Sequence, residues 1–395
     1  MGPLTEPTAE PRPGREPLAQ RLRRRIRETG PITFADFMDA ALYDPDAGFY
    51  SRHGVGEGGD FVTSPHVSPV FGLLLARQLE EMWELLERPE PFWLIEAGAG
   101  DGTLARAVLA ALPAELAGSL VYAGVERSPR GQGSLVRSAE GTALGPDRLI
   151  VVPDLDDLPP ADGRSGCVLA NELLDNLPFH RIRRTDRGVV ELFVGLAADG
   201  FVLQEGPPSA EEIVRLAPAL LPGQEGVVSV AARRFVERSA AALGRGYVLL
   251  FDYGVDPARP ATLVHGYRAH RVEADVLADP GSCDITAGVD VHALAAHARA
   301  LGLAVWGPVT QRDALVALGF REWDRHARGR QAAASNAGRG AEGVRVYSAR
   351  TRAGLLVDPA GLGGFQALCL GVGTDRPPLA VRDAAAAVRE PRPSR

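Results

Sequence analysis

Through the middle of this 395-residue chain, short apolar runs alternate with stretches of helical spacing. Phe92 to Ala97 reads as a buried strand and Thr103 to Leu112 as the helix that follows it. Leu120 to Val125 is a second strand, ending on Glu126. Arg148 to Val152 is a third, Cys167 to Ala170 a fourth and Tyr247 to Phe251 a fifth, the last preceded by a helix from Ser229 to Leu243. This alternation predicts a doubly wound α/β sheet, mostly parallel, with helices on both faces. Helices recur at Asp290–Leu301 and Thr310–Leu318, stopped by Gly302 and Gly319. The late runs Gly343–Ser348 and Phe365–Leu370 read as strands that complete the sheet.

Upstream, a helix spans Pro17 to Glu28, closed by Gly30, and Thr33 is placed to cap a helix through Phe34, Phe37, Met38 and Leu42. Tyr43 to Ser68 is dense in Gly and Pro and long for a plain connector. Ser68-Pro69 opens a helix carrying Leu73, Leu74, Leu75, Leu79, Met82, Trp83 and Leu86. The rhythm breaks after Pro178, where Val189–Val194 and Gly200–Gln204 look like paired strands around the turn Ala197-Ala198-Asp199-Gly200. The predicted layout is a disordered tail over 1–16, a helical cap over 17–88, a core over 89–371 with a β-rich insertion at about 178–228, and a second tail over 372–395.

Composition narrows the chemistry. The chain has no lysine, so all 43 basic residues are arginine. That excludes a P-loop lysine and Schiff-base chemistry. A net charge of −7 argues against nucleic acid as partner, and no apolar run is long enough to span a membrane. Cys167, Cys283 and Cys369 are far apart and form no CxxC, so no disulfide framework or metal site is expected and a reducing cytoplasm is the expected home. The first residues hold Glu6, Glu10 and Glu16, unlike an acid-poor transit peptide. His265/His270 and His292/His297 lack the spacing that would put two ligands on one helix face, and there is no H-E-x-x-H and no G-x-S-x-G.

One loop carries the strongest chemical signal. Glu96-Ala97-Gly98-Ala99-Gly100-Asp101-Gly102 follows a strand and precedes a helix. Its glycines allow a sharp bend and the close approach of a ligand. The pattern is G-x-G-x-G led by an acid, not the G-x-G-x-x-G that makes room for a pyrophosphate. The acid suits the amino and sulfonium charges of S-adenosylmethionine. Glu126, ending the second strand, can accept from a ribose diol. Asp154, just past the third, is placed for an adenine amino group. Asn171-Glu172-Leu173-Leu174-Asp175 ends the fourth strand beside the expected methyl position. If the chain turns helically there, Glu172 and Asp175 share a face and could hold a guanidinium or remove a proton. Asn171 could instead cap the next helix.

An ordered set of further motifs resembles one family. They include Ile32-Thr-Phe-Ala-Asp-Phe-Met38, Ala41-Leu-Tyr-Asp-Pro45 with Gly48-Phe-Tyr50, Gly59-Asp-Phe-Val-Thr-Ser-Pro65 and Val67-Ser-Pro-Val-Phe-Gly72. Downstream come Phe251-Asp-Tyr-Gly254, Tyr267-Arg-Ala-His-Arg271, Asp284-Ile-Thr286, Thr310-Gln311 and Leu362-Gly363 with Phe365. With the glycine loop, they make the chain similar to the MidA-type methyltransferases, whose mitochondrial relatives are protein-arginine methyltransferases that assist assembly of respiratory complex I. The resemblance implies a class I methyltransferase core and S-adenosyl-L-methionine as donor. It also implies that Thr63 and Ser64 help close the cofactor site and that the acceptor is a protein arginine. Departures fall at His66, where the family has Glu, at Leu173-Leu174 and Asn176, and at Leu362 and Gln366. The expected partners are a protein substrate and a second copy of the chain. The rival readings are a small-molecule methyltransferase and an assembly factor that binds the donor without turnover.

Overall fold

The computed structural model describes residues 16–53, 63–140, 142, 144–160, 163–198, 200–255, 264–268, 271–273 and 275–382. The Gly59–Val62 stretch, Asp199, His270 and the outer parts of both tails lie outside the described residues.

Seven strands form the central sheet: β1 Phe92–Ala97, β2 Leu120–Val125, β3 Leu149–Val152, β4 Ser165–Asn171, β5 Arg245–Asp252, β6 Ala304–Thr310 and β7 Gln366–Val372. Their order is 3-2-1-4-5-7-6. The first five run parallel, and β7 lies antiparallel between β5 and β6. Strand side chains alternate between faces, and both faces are covered, which is why the strands read as unbroken apolar runs. Leu94, Tyr122, Leu169, Tyr247 and Leu249 pack under the helices Val70–Leu85, Thr103–Leu109 and Gln311–Ala317. Ile95, Val168, Val248, Leu250 and Leu368 pack under Val230–Ala241 and Val291–Ala300.

A second sheet sits over this core. Its hairpin strands His180–Thr185 and Gly188–Ala197 are flanked by Gly200–Gly206 and Glu225–Val228. The two-residue strand Ile32–Thr33 joins it, with Ile32 opposite Val194 and Thr33 opposite Phe193. The helices Leu18–Thr29 and Phe34–Tyr43 are thereby tied to a segment far along the chain. Phe34 stacks on Phe179 and Phe37 meets Phe201 edge-on, in a third apolar core. A small sheet of His265–Arg268, Arg271–Glu273 and Asp284–Thr286 completes the roof.

Two expectations change. Gly343–Ser348 is not a strand. It lies in the helix Gly340–Leu355, which pairs with the helix Phe320–Asn336. Val344 is 67% exposed there and Tyr347 58%, so their alternation faces no sheet. Gly319, at φ 102°, ends the helix Gln311–Ala317 and starts the next. Residues 373–382, assigned to a tail, fold back on the helix Val70–Leu85, where Ala380 N–H donates to Gln78 Oε1 at 2.7 Å and Ala380 and Val381 are buried.

Candidate functional site

The strand order reverses between β1 and β4, so the loops after them diverge and leave a crevice at their carboxyl ends. A cleft of about 1090 Å³ opens there. Gly98, Gly100 and Gly102 in the loop after β1 have φ of 71°, 54° and 79°. A Cβ on Gly98 would stand 3.0 Å from Leu173 Cδ1, and one on Gly102 2.7 Å from Ser138 Cβ. Protein closes both positions. A Cβ on Gly100 would meet nothing nearer than the Gly98 carbonyl oxygen at 4.0 Å, and Gly100 lines the cleft. That is the position where a ligand can lie against the backbone.

Acids flank this loop. Glu96 is buried, and its Oε2 accepts from Tyr122 Oη at 2.8 Å. Burial pushes its carboxyl up to about 8, against the pull of the Tyr122 bond. No cation sits beside it among the described residues, so it fits a positively charged ligand. Glu126 Oε2 accepts from Gly100 N–H at 2.9 Å and Oε1 from Ser128 N–H at 2.8 Å. The acid expected at a ribose therefore also braces the glycine loop, and each oxygen keeps a second acceptor site. Asp154 lines the cleft, but it is paired with Arg238 and takes Asp156 N–H at 2.9 Å. Any adenine contact there is shared with a guanidinium.

The cap reaches the same loops. Thr63 Oγ1 bonds His66 Nδ1 at 2.8 Å, and His66 Nε2 lies 3.2 Å from Asp101 Oδ2. Ser64 N–H donates to Glu172 Oε1 at 2.8 Å, and Ser64 Oγ donates to Gln311 Oε1 at 3.3 Å. Arg127, next to Glu126, lies 4.6 Å over the Tyr43 ring and pairs with Asp39 at 2.7 Å.

After β4 the chain turns tightly. Glu172 has φ 52°, a left-handed conformation that costs a non-glycine residue energy. The turn is held by Asp252 at the end of β5, whose Oδ2 accepts from Leu173 N–H at 3.1 Å and Leu174 N–H at 2.7 Å. A 3₁₀ turn, Leu174–Asn176, follows in place of an α-helix. Asn171 caps no helix; its Nδ2 donates to Glu172 Oε1 at 3.1 Å. Asp175 Oδ2 accepts from Thr286 Oγ1 at 2.7 Å. Asp284 Oδ1 accepts from Tyr50 Oη at 2.9 Å and Asn176 Nδ2 at 3.0 Å. Burial, then the charge of Asp175, pushes Asp284 up to about 7 and raises Asp252. Burial pushes Glu172 up to about 7 and Asp175 up to about 6. None of these four acids is in an ion pair with arginine among the described residues. Asn171 Oδ1 and Asp175 Oδ1 are buried acceptors with no donor among the described residues.

The spacing at the end of the fourth strand singles out Glu172 and Asp175. Asn176 lies on the same turn as Asp175, while Asp252, Asp284 and Tyr50 come from other parts of the chain.

The model of a family of S-adenosyl-L-methionine-dependent methyltransferases matches residues 74–309. The mitochondrial protein arginine methyltransferase NDUFAF7 homolog of Drosophila melanogaster is 32% identical over 323 residues, 72% of this chain and 70% of its own. Mitochondrial NDUFAF7 of Mus musculus, also named a protein arginine methyltransferase, is 31% identical over 341 residues, 77% of this chain and 74% of its own. A crystal structure of a Burkholderia thailandensis protein bound to S-adenosyl-homocysteine has a TM-score of 0.77 at 28% identity, covering 92% of this chain and 94% of that one. These relatives correct one expectation. Both NDUFAF7 proteins are mitochondrial, against the cytoplasmic home read from the cysteines and the acidic N-terminus.

Proposed function

The chain belongs to the S-adenosyl-L-methionine-dependent methyltransferases of that family, and from this premise we propose that its methyl acceptor is the guanidinium of a protein arginine. S-adenosyl-L-methionine is the donor, and its sulfonium supplies an activated methyl group. Glu96, the backbone around Gly98 and Gly100, and Glu126 are the residues suited to hold it, with Thr63 and Ser64 of the cap closing over the loop.

One observation carries the choice of acceptor. Among the described residues, Glu172, Asp175, Asp252 and Asp284 share a buried region without an arginine partner, and two acceptor oxygens there lack any donor. Buried acceptors left unpaired cost free energy until a donor arrives. A guanidinium brings five N–H donors and a positive charge in a planar fork. It would repay the unpaired oxygens and favour ionisation of the acids whose carboxyls burial pushes up. The relatives' names as protein arginine methyltransferases point the same way. In this reading Glu172 and Asp175 orient the acceptor nitrogen, and catalysis is positioning in a water-poor site.

The test is mass spectrometry after incubation with methyl-labelled donor, an arginine-containing peptide library and a set of free guanidino and amino metabolites. Label on peptide arginine supports the reading. Label on metabolites alone makes the protein a small-molecule methyltransferase, and no label despite donor binding leaves a binding protein.

A further inference from the structure

A buried carboxylate in the inserted sheet has no part in the site so far. In the hairpin His180–Thr185 and Gly188–Ala197, Ile182 stands opposite Glu191. His180, two residues before Ile182, therefore lies on Glu191's face, diagonally across the pair. Glu191 is fully buried there, over the apolar group Ile182, Ile213, Leu220 and Val228. Both its oxygens are engaged: Oε1 with His180 Nδ1 at 2.7 Å and Oε2 with Ser209 N–H at 2.6 Å. Arg181 and Arg183 alternate to the opposite face and pair with Glu225. His180 and Ser209 are thus the residues that hold Glu191.

This fixes the imidazole. Burial alone would raise the Glu191 carboxyl, but the bonds from His180 and Ser209 outweigh it and hold the group below its usual range. An ionised carboxylate can only accept, so in a neutral His180 the proton lies on Nδ1 and Nε2 carries a bare lone pair. His180 lines the cleft that also holds Glu172, Asp175 and the glycine loop. Its Nε2 has no protein partner among the described residues.

We propose that His180 accepts the proton released in methyl transfer and that Glu191 is the positioning residue that sets its tautomer. The proposal rests on the arginine reading above. A guanidinium nitrogen has no free electron pair while it keeps its proton. As the nitrogen–carbon bond forms, the donor's carbon–sulfur bond breaks with its electron pair left on sulfur, and the acceptor N–H proton passes to His180 Nε2. The methylated guanidinium keeps one positive charge, and the new imidazolium faces Glu191. A separate base suits this site. Glu172 and Asp175 already accept from Ser64, Asn171 and Thr286, and their charge is needed to hold the cation throughout.

The test uses the full chain with S-adenosyl-L-methionine and an arginine–glycine repeat peptide. His180→Ala should lower the single-turnover rate by about 100-fold or more, the usual effect of losing a positioned base. Its affinity for S-adenosyl-homocysteine, read by calorimetry, should not change. Added imidazole should restore part of the rate, which it would not do for a merely structural histidine. His180→Gln can still donate to Glu191 and serves if the alanine variant does not fold. In ¹⁵N NMR, wild-type His180 should carry its proton on Nδ1, and Glu191→Gln should give a mixture of tautomers. A protonated Nε2 in the wild type, or an undiminished rate in both His180 variants, overturns the proposal. Absence of label on any arginine peptide with the wild type would count against the acceptor alone, because the tautomer is read without turnover.

Discussion

Glu96 allows the donor site to be tested by proton counting. Its carboxyl is pushed up to about 8 by burial, so at pH 7 roughly 90% of molecules hold its proton. A cationic donor beside it favours the ionised form. Binding at pH 7 should then release up to ~0.9 proton per donor. Affinity should rise with pH by up to about tenfold per unit well below pH 8, and by about 50-fold, or about 2.3 kcal/mol, between pH 6 and 8. Titration calorimetry at pH 7 in two buffers of different ionisation heat gives the proton count, and repeats at pH 6, 7 and 8 give the slope. Glu96→Gln is nearly isosteric and keeps an acceptor for Tyr122, so it should fold, lose the proton release and flatten the slope. Equal heats in both buffers with a pH-independent affinity would refute the reasoning. The same slope in Glu96→Gln would move the proton to another acid, Glu172 first.

Three further outcomes are expected. Gly100→Ala faces open space, so it should cost only about 1–2 kcal/mol of backbone strain in a thermal melt while donor binding is lost; normal binding would mean that Gly100 does not face the donor. Glu126→Ala leaves Gly100 N–H and Ser128 N–H without their acceptor and should weaken donor binding by about 1–3 kcal/mol in calorimetry, whereas unchanged affinity would take Glu126 out of the site. Without ligand, the melting temperature should fall as pH rises from 5 to 8. Folded Glu96, Glu172 and Asp284, near 8, 7 and 7, hold protons that the unfolded chain gives up above its ordinary carboxyl range. Acids held low, such as Asp101, act below that window, so a flat or rising melt curve would contradict the assignment.

The sheet was legible because its parallel strands β1, β2, β4 and β5 are buried on both faces and the edge strand β3 is half-buried, so local composition alone marks it. The donor loop was legible because its glycines and acids are contiguous. The Gly343–Ser348 segment misled because Val344, Val346 and Tyr347 favour a strand, while packing against the neighbouring helix decides its conformation. The helix Phe320–Asn336 went unseen because only Phe320, Ala327 and Ala334 are buried along it, too sparse a stripe to read. The acidic chamber was half legible. Glu172 and Asp175 sit on one turn, but Asp252 and Asp284 reach it from β5 and from the roof sheet, through pairings no local pattern encodes. The His180–Glu191 pair depends on hairpin register, which one residue of slip would abolish.

The tie between Ile32–Thr33 and the inserted sheet has a consequence for biosynthesis. Phe37 leaves the ribosome about 160 residues before Phe201, the ring it packs against. At roughly 5–20 residues per second that is roughly 8–30 s. During that interval the first two helices have no core of their own, and Phe34, Phe37 and Met38 stay open to solvent or to a chaperone. Truncations that stop short of the hairpin should therefore leave a nascent chain whose N-terminus is sticky and protease-sensitive, even where the first strands of the central sheet have been made.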